Sequence, residues 1–288
     1  MSYRRRASPL HAARAAVAAL WCVSLGVAAL VESNPLVLGA VAVALLGAAV
    51  ACGLGRDVAM ALRLAIPLAL SIGAINALVT RDGLTVIWRF GDLPVLGQTN
   101  VTLEATVYGA VIGMRGALLV LCGALYSMAV DPDAMLRLMR RWPFRSALTA
   151  TVATRMVPIL VRDARRLADA QRCRPGPPPG RFALMRATTA GVLDRALDVA
   201  AALEVRGYAA ARRPARRPAS PWSRHDIAFL ASALIVAALA VGGRAAGWTG
   251  FVAYPALHAP VWPGPLLVAV ALAAAALAPF LDRRGIDP

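Results

Sequence analysis

The chain has 288 residues, 59% of them hydrophobic, and a formal net charge of +16. Its 31 Lys and Arg positions are all arginine. Without a lysine it holds no conventional nucleotide-binding P-loop, because that motif places a Lys on the phosphates. Several apolar runs reach the roughly 20 residues a helix needs to cross about 30 Å of hydrocarbon. Helices are the ordinary way to satisfy a backbone in lipid. The predicted fold class is therefore an all-α polytopic membrane protein, with about six transmembrane helices and further amphipathic helices in the cytoplasm. The 4 Cys and 3 His residues form no ligand pattern. Cys22, Cys52 and Cys122 fall in apolar runs and Cys173 stands alone, so neither a metal nor a cofactor is expected.

In chain order, Arg4, Arg5, Arg6 and Arg14 precede an apolar run from Ala15 to Val31. A signal peptide would begin this way, but further spans follow, and an uncleaved first span is expected. Glu32-Ser-Asn-Pro35 reads as a turn. A second span covers 36–54 and a third 59–79, the latter containing Arg63, Pro67 and Asn76. Pro67 and Asn76 are expected to kink the helix or bind across to a neighbour. Residues 80–104 read as an outer loop. A fourth span, 105–130, carries Arg115 within Gly-Met-Arg-Gly. A charge there is costly in lipid. It is read either as a packing or gating anchor, or as a structural charge satisfied by backbone carbonyls.

Residues 131–224 contain 19 of the 31 arginines, whereas the outer loops hold only Arg81, Arg89 and Arg244. This asymmetry places the segment in the cytoplasm. Two more spans, 227–241 and 263–281, put both termini there. Trp248, Phe251, Tyr254 and Trp262 are expected at the outer interface. The chain divides accordingly into 1–130, an N-terminal set of about four spans; 131–225, the cytoplasmic region; and 226–288, the last two spans.

Within the cytoplasmic region, Asp131-Pro132 reads as an N-cap and first helical residue. A longer helix is predicted from Ser146 to Arg172. Leu148, Val152, Met156, Ile159, Leu160 and Leu167 recur at helical spacing among Arg155, Arg162, Arg165 and Arg166, with a bend at Pro158. Pro175-Gly-Pro-Pro-Pro-Gly180 stops it. The next helix, 181–206, is predicted to carry an apolar stripe of Met185, Val192, Leu193, Leu197, Ala200 and Leu203, with Gly207 at the C′ position. Both helices thus run out into arginine, at Arg174 and Arg206. From spacing alone, a cation complementing the carbonyl end of a helix dipole is the ordinary explanation, ahead of a binding role. The Arg212–Arg217 stretch fits anionic membrane lipids. Nucleic acid is not an expected partner, because no stacking aromatics are interleaved with these arginines.

Thr154-Arg-Met-Val-Pro-Ile-Leu160, Asp169-Ala170-Gln171-Arg-Cys173-Arg174-Pro175-Gly176 and Ala202-Leu-Glu204-Val205-Arg206-Gly207-Tyr208 together resemble the transmembrane T component of energy-coupling factor (ECF) transporters, which includes the cobalt-transport permease group. Gly-Met-Arg115-Gly and Asp-Pro-Asp-Ala-Met-Leu add to the resemblance, which covers most of the chain. It implies a non-catalytic scaffold whose cytoplasmic coupling helices each end in an arginine-centred motif. Those arginines would dock on ATP-binding-cassette ATPases, either two subunits or one fused chain. A small membrane S component would capture a vitamin or transition-metal ion. The implied motifs are Cys173-Arg174-Pro175 and Val205-Arg206-Gly207, supported by Ala170, Gln171, Glu204, Arg155 and Pro158. The first departs from the family's usual Ala-Arg-Gly at both flanks. The implied location is the bacterial inner membrane.

Three other readings make different demands. An enzyme acting on lipid-linked phosphates needs metal-binding carboxylates, and neither D-x-x-D-G-x-x-A-R nor D-D-x-x-D is present. An anchoring scaffold would bind partners without any link to nucleotide. A self-sufficient carrier would need internal repeats and a polar midplane site, for which only Arg115, Asn76 and a few hydroxyls are available.

Overall fold

The computed structural model describes residues 6–80, 85–93, 97–139, 144–173, 181–205, 221–254, 257–258, 263–282 and 284. The described elements are helices α1 (Pro9–Ala12), α2 (Ala15–Val31), α3 (Pro35–Ala51) and α4 (Gly55–Val79), strands β1 (Val86–Leu93) and β2 (Gly97–Thr102), then α5 (Leu103–Ala129), α6 (Pro132–Met139), α7 (Phe144–Arg172), α8 (Arg181–Val205), α9 (Arg224–Ala245) and α10 (Gly264–Leu277). A single 3-10 turn, Ala278–Phe280, follows α10. The chain forms two compact units: Met1–Met135 with Pro221–Pro288, and Leu136–Ser220.

In the first unit α4, α5 and α9 are long and apolar enough to cross a membrane, and α2, α3 and Gly264–Phe280 are shorter apolar helices. Their ends are set locally. Asn34 caps α3 by accepting from the Leu36 amide at 3.0 Å, and Pro35 fits the first position because its missing N–H is not needed there. At the other end Gly53 (φ 67°) lets the Gly53 amide reach Val50 O and the Leu54 amide reach Ala49 O. Gly247 (φ 75°) does the same after α9. Each is a left-handed cap that β-carbons disfavour. Ser223 and Asp226 form a reciprocal capping box at the start of α9, a Ser-x-x-Asp signal of the kind that precedes apolar helices.

The core lies among α2, α3, α5, α9 and α10. At its centre Trp21, Phe229 and Phe280 meet edge to face, with centroids 5.1–5.8 Å apart. Trp21 Nε1 donates to Ser232 Oγ at 3.0 Å, and Ser232 Oγ donates to Ala275 O at 2.7 Å. One polar chain thereby ties α2, α9 and α10 together inside the aromatic cluster. The indole N–H is satisfied as burial requires.

Helix α4 packs mainly on α5, and small residues allow the approach. A Cβ on Gly113 would lie 2.4 Å from Ala69 O, and one on Gly109 would lie 2.5 Å from Gly73 O. Asn76 does not bind across helices: its Nδ2 donates to Ile72 O of its own helix at 2.9 Å. The outer face of α4 is apolar and exposed, including Met60, Leu64, Leu70 and Ile75.

Part of the stretch expected to be a plain loop, 80–104, is an antiparallel hairpin of β1 and β2. Val86-Ile-Trp and Thr-Asn-Val101-Thr supply β-branched and aromatic residues that favour strands. Of the outer aromatics, Trp248 is exposed, Phe251 is buried, and Tyr254 meets Tyr108 at 6.0 Å. Trp262 lies outside the described residues.

His11 is part of the buried N-terminal turn, with Nδ1 2.7 Å from Ser8 Oγ. Burial, helped by the Arg6 charge and opposed by a contact with the Met128 backbone, holds its imidazole below the ordinary range. The unfolded chain therefore takes up the proton first, and stability is lost as pH falls below about 6.5. Melting in detergent at about pH 7.5 and about pH 5.5 should show a drop that shrinks in His11→Gln. An equal drop in both proteins would assign the effect elsewhere.

Candidate functional site

Asp131 caps α6 as expected: its carboxylate accepts from the Asp133 amide at 3.0 Å, and its carbonyl accepts from Met135 N at 3.1 Å. The second unit is built mainly on α7 and α8, which pack on each other. Helix α7 runs unbroken through Pro158 to Arg172, and the Cys173 amide still reaches Asp169 O at 3.2 Å. Helix α8 runs to Val205. The half-covered residues of α7 are Met156, Ile159, Leu160, Asp163, Ala164, Leu167, Ala168 and Gln171. Those of α8 are Thr188, Val192, Arg195, Val199 and Leu203. Each set repeats every three to four residues, as one face of a helix does. The stripe predicted for α8 is therefore divided: Val192 and Leu203 lie on the covered face, whereas Met185, Leu193 and Leu197 are exposed.

Between these faces Arg195 Nη1 pairs with Asp163 Oδ2. Along the exposed side of α7, Arg172 pairs loosely with Asp169 at 3.4 Å. Cys173, Ala170 and Glu204 are exposed, Gln171 is half-buried and Pro158 is exposed. Val205 is 90% exposed at the last turn of α8. Arg174, Pro175, Arg206 and Gly207 lie outside the described residues, as does the side chain of Arg155. Each helix is thus described to within two residues of the arginine predicted to matter. Sequence reasoning missed the Asp163–Arg195 pair. The signal was a carboxylate in step with Met156, Ile159 and Leu160, where an apolar residue would ordinarily stand.

In the first unit Arg115 is satisfied largely by a backbone carbonyl. Its Nε and Nη2 donate to Glu32 O at 2.9 and 2.5 Å, and Nη2 also reaches Ser33 Oγ at 2.8 Å. The fork of a guanidinium suits such double donation. The Glu32 side chain is fully buried and accepts from Thr249 Oγ1 at 2.9 Å. Its other oxygen, Oε2, has no hydrogen-bond partner among the described residues. Arg115 and Glu32 thus tie α5, the α2–α3 turn and the chain after α9 into one cluster. Arg115→Leu should lower stability by about 2 kcal/mol, because it strips charged hydrogen bonds from a covered carbonyl. Arg115→Lys should lose less, having charge but no fork. Thermal melts in detergent rank the three proteins; equal melts for Leu and Lys would mean the fork contributes nothing.

A second buried carboxylate, Asp226, holds the start of α9. It accepts from the Arg14 amide at 2.7 Å and pairs with Arg14 Nε at 3.2 Å, while Arg14 lies over Trp222 at 5.0 Å. Among the described residues no group of His, Cys, Asp and Glu is arranged to hold a metal ion.

Residues 6–216 match the family described as CbiQ, cobalt transport protein. The chain belongs to that family. CbiQ proteins are the transmembrane component of ECF transporters and are non-catalytic membrane subunits. The match spans α1 to α8 and ends before α9. No curated protein matches this CbiQ-family chain.

Proposed function

We propose that this protein is the coupling subunit of an ECF-type importer, passing the ATP-driven motion of cytosolic ATP-binding-cassette ATPases to a substrate-binding S component. The cargo class is a vitamin or a transition-metal ion such as cobalt. The observation that carries the reading is the CbiQ match over a region containing two paired helices, α7 and α8, that end just before Arg174 and Arg206. Arg174 and Arg206 are the docking groups, one in Cys173-Arg174-Pro175 and the other in Val205-Arg206-Gly207. A guanidinium stays charged, pairs two-pronged with carboxylates, and is a frequent interface anchor. Ala170, Gln171 and Glu204 flank these ends, and Arg155 and Pro158 shape α7 upstream.

In this reading six spans place both termini in the cytoplasm, with 1–130 and 226–288 in the inner membrane and 131–225 on the ATPase side. The exposed apolar face of α4 suits lipid. The chemistry of ATP hydrolysis belongs to the partner, since the chain has no lysine for a P-loop. Reconstitution in liposomes tests the assignment. The chain alone should hydrolyse no ATP, and hydrolysis should appear when the co-expressed ATPases are present. Turnover by the purified chain alone would contradict it.

A further inference from the structure

Among the described side chains of α7 and α8, charges avoid the contact between the helices, with two exceptions. Arg162, Arg165, Arg166, Asp169 and Arg172 are exposed on α7, as are Arg186, Asp194, Asp198 and Glu204 on α8. Of the described charges, Asp163 and Arg195 alone lie on the half-covered faces, and they pair with each other. The neighbours on those faces are aliphatic or small: Leu160, Ala164 and Leu167 on one side, Val192 and Val199 on the other. Such contacts are undirected, and a helix can slide along them by a turn at little cost. A half-exposed charged pair at the edge of that seam restricts this freedom, since only one register brings the charges together.

The position of the pair is the second observation. Asp163 precedes Arg174 by eleven residues, and Arg195 precedes Arg206 by eleven residues. The two members of the pair thus stand at the same sequence separation from the two arginines.

We infer that Asp163–Arg195 is the pivot of the two coupling helices. It fixes their register so that Arg174 and Arg206 are presented at a set separation to a two-lobed ATPase partner. The inference rests on the proposed coupling function. Its physical content is bivalency: two weak docking ends act as one strong site only when their spacing is held. A half-exposed pair contributes little to folding, so its effect should appear in partner binding rather than in melting.

The test compares four full-length chains co-expressed with their ATPases: wild type, Asp163→Arg, Arg195→Asp and the double swap. ATPase retained on the purified complex is titrated with salt, and the melting temperature of each chain is recorded. The single variants should retain about fivefold less ATPase at a given salt, with melting temperatures close to wild type. The double swap should recover retention to within about twofold, because the pair is rebuilt with its charges exchanged. Equal retention in all four, or a double swap as weak as the singles, overturns the pivot and leaves the coupling function standing. Loss of ATPase from wild type itself overturns the coupling function, and the pivot with it.

Discussion

Gly113→Ala is expected to destabilise the protein by about 2–3 kcal/mol, although alanine is the better helix former by about 1 kcal/mol. The added methyl would lie 2.4 Å from the Ala69 carbonyl oxygen, 3.2 Å from its carbon and 3.4 Å from its Cα. All three are backbone atoms, so no rotamer can yield; α4 must move away from α5. Gly109→Ala has a similar clash, 2.5 Å from Gly73 O. Because α4 packs mainly on α5, little else holds it in place, and the displaced helix loses contact along its length. Gly123→Ala, on the same helix with nothing within 4 Å, is the matched control and should be neutral or slightly stabilising through helix propensity. Thermal melts in one detergent compare the three. Equal melts for Gly113→Ala and Gly123→Ala would mean that the close approach does not exist. Small residues allow such approach between membrane helices, where dispersion rather than water exclusion drives association.

The elements were largely legible because their signals are strong and local. Apolar runs bounded by Asn34-Pro35 or by Gly53 have capping chemistry written beside them, and α3 starts and stops there. Asp131-Pro132 announced α6, and Pro175 to Gly180 announced the break between α7 and α8. The hairpin at β1 and β2 was not read, because Arg89, Asp92 and several glycines and prolines dilute its alternation. Glu32 was read only as part of a turn. Its burial depends on Arg115, 83 residues away, and on Thr249, 217 residues away, and local spacing carries no trace of either. Asn76 was expected to kink its helix or bind across to a neighbour; its Nδ2 donates instead to the i−4 carbonyl of Ile72 in its own helix. Asp226 shows the same limit. Its capping role with Ser223 was readable from four residues, whereas its pairing with Arg14 spans 212.

Reversing the charge at both helix ends, Arg174→Glu with Arg206→Glu, is expected to have the largest functional effect. On the proposed coupling role, each change removes a docking cation and places an anion where the ATPase would offer carboxylates. Truncating a buried, hydrogen-bonded charge at an interface costs about 2–5 kcal/mol, and two such sites acting bivalently compound the loss. Retention of ATPase should therefore fall by more than a hundredfold, well beyond the effect of either single change. Folding should be little affected, because each change falls beyond the described helices α7 (to Arg172) and α8 (to Val205). A melting curve close to wild type would separate loss of docking from loss of structure.

The most direct measurement is purification of the wild-type chain from native membranes in mild detergent, with mass spectrometry of whatever accompanies it and the double charge-reversal variant beside it. ATP-binding-cassette ATPases should accompany the wild type, together with a small membrane protein as the S component, and the ATPases should be missing from the variant. ATPases bound equally to both proteins would contradict the assignment of Arg174 and Arg206. No ATPase with the wild type at low or high salt would contradict the coupling function itself.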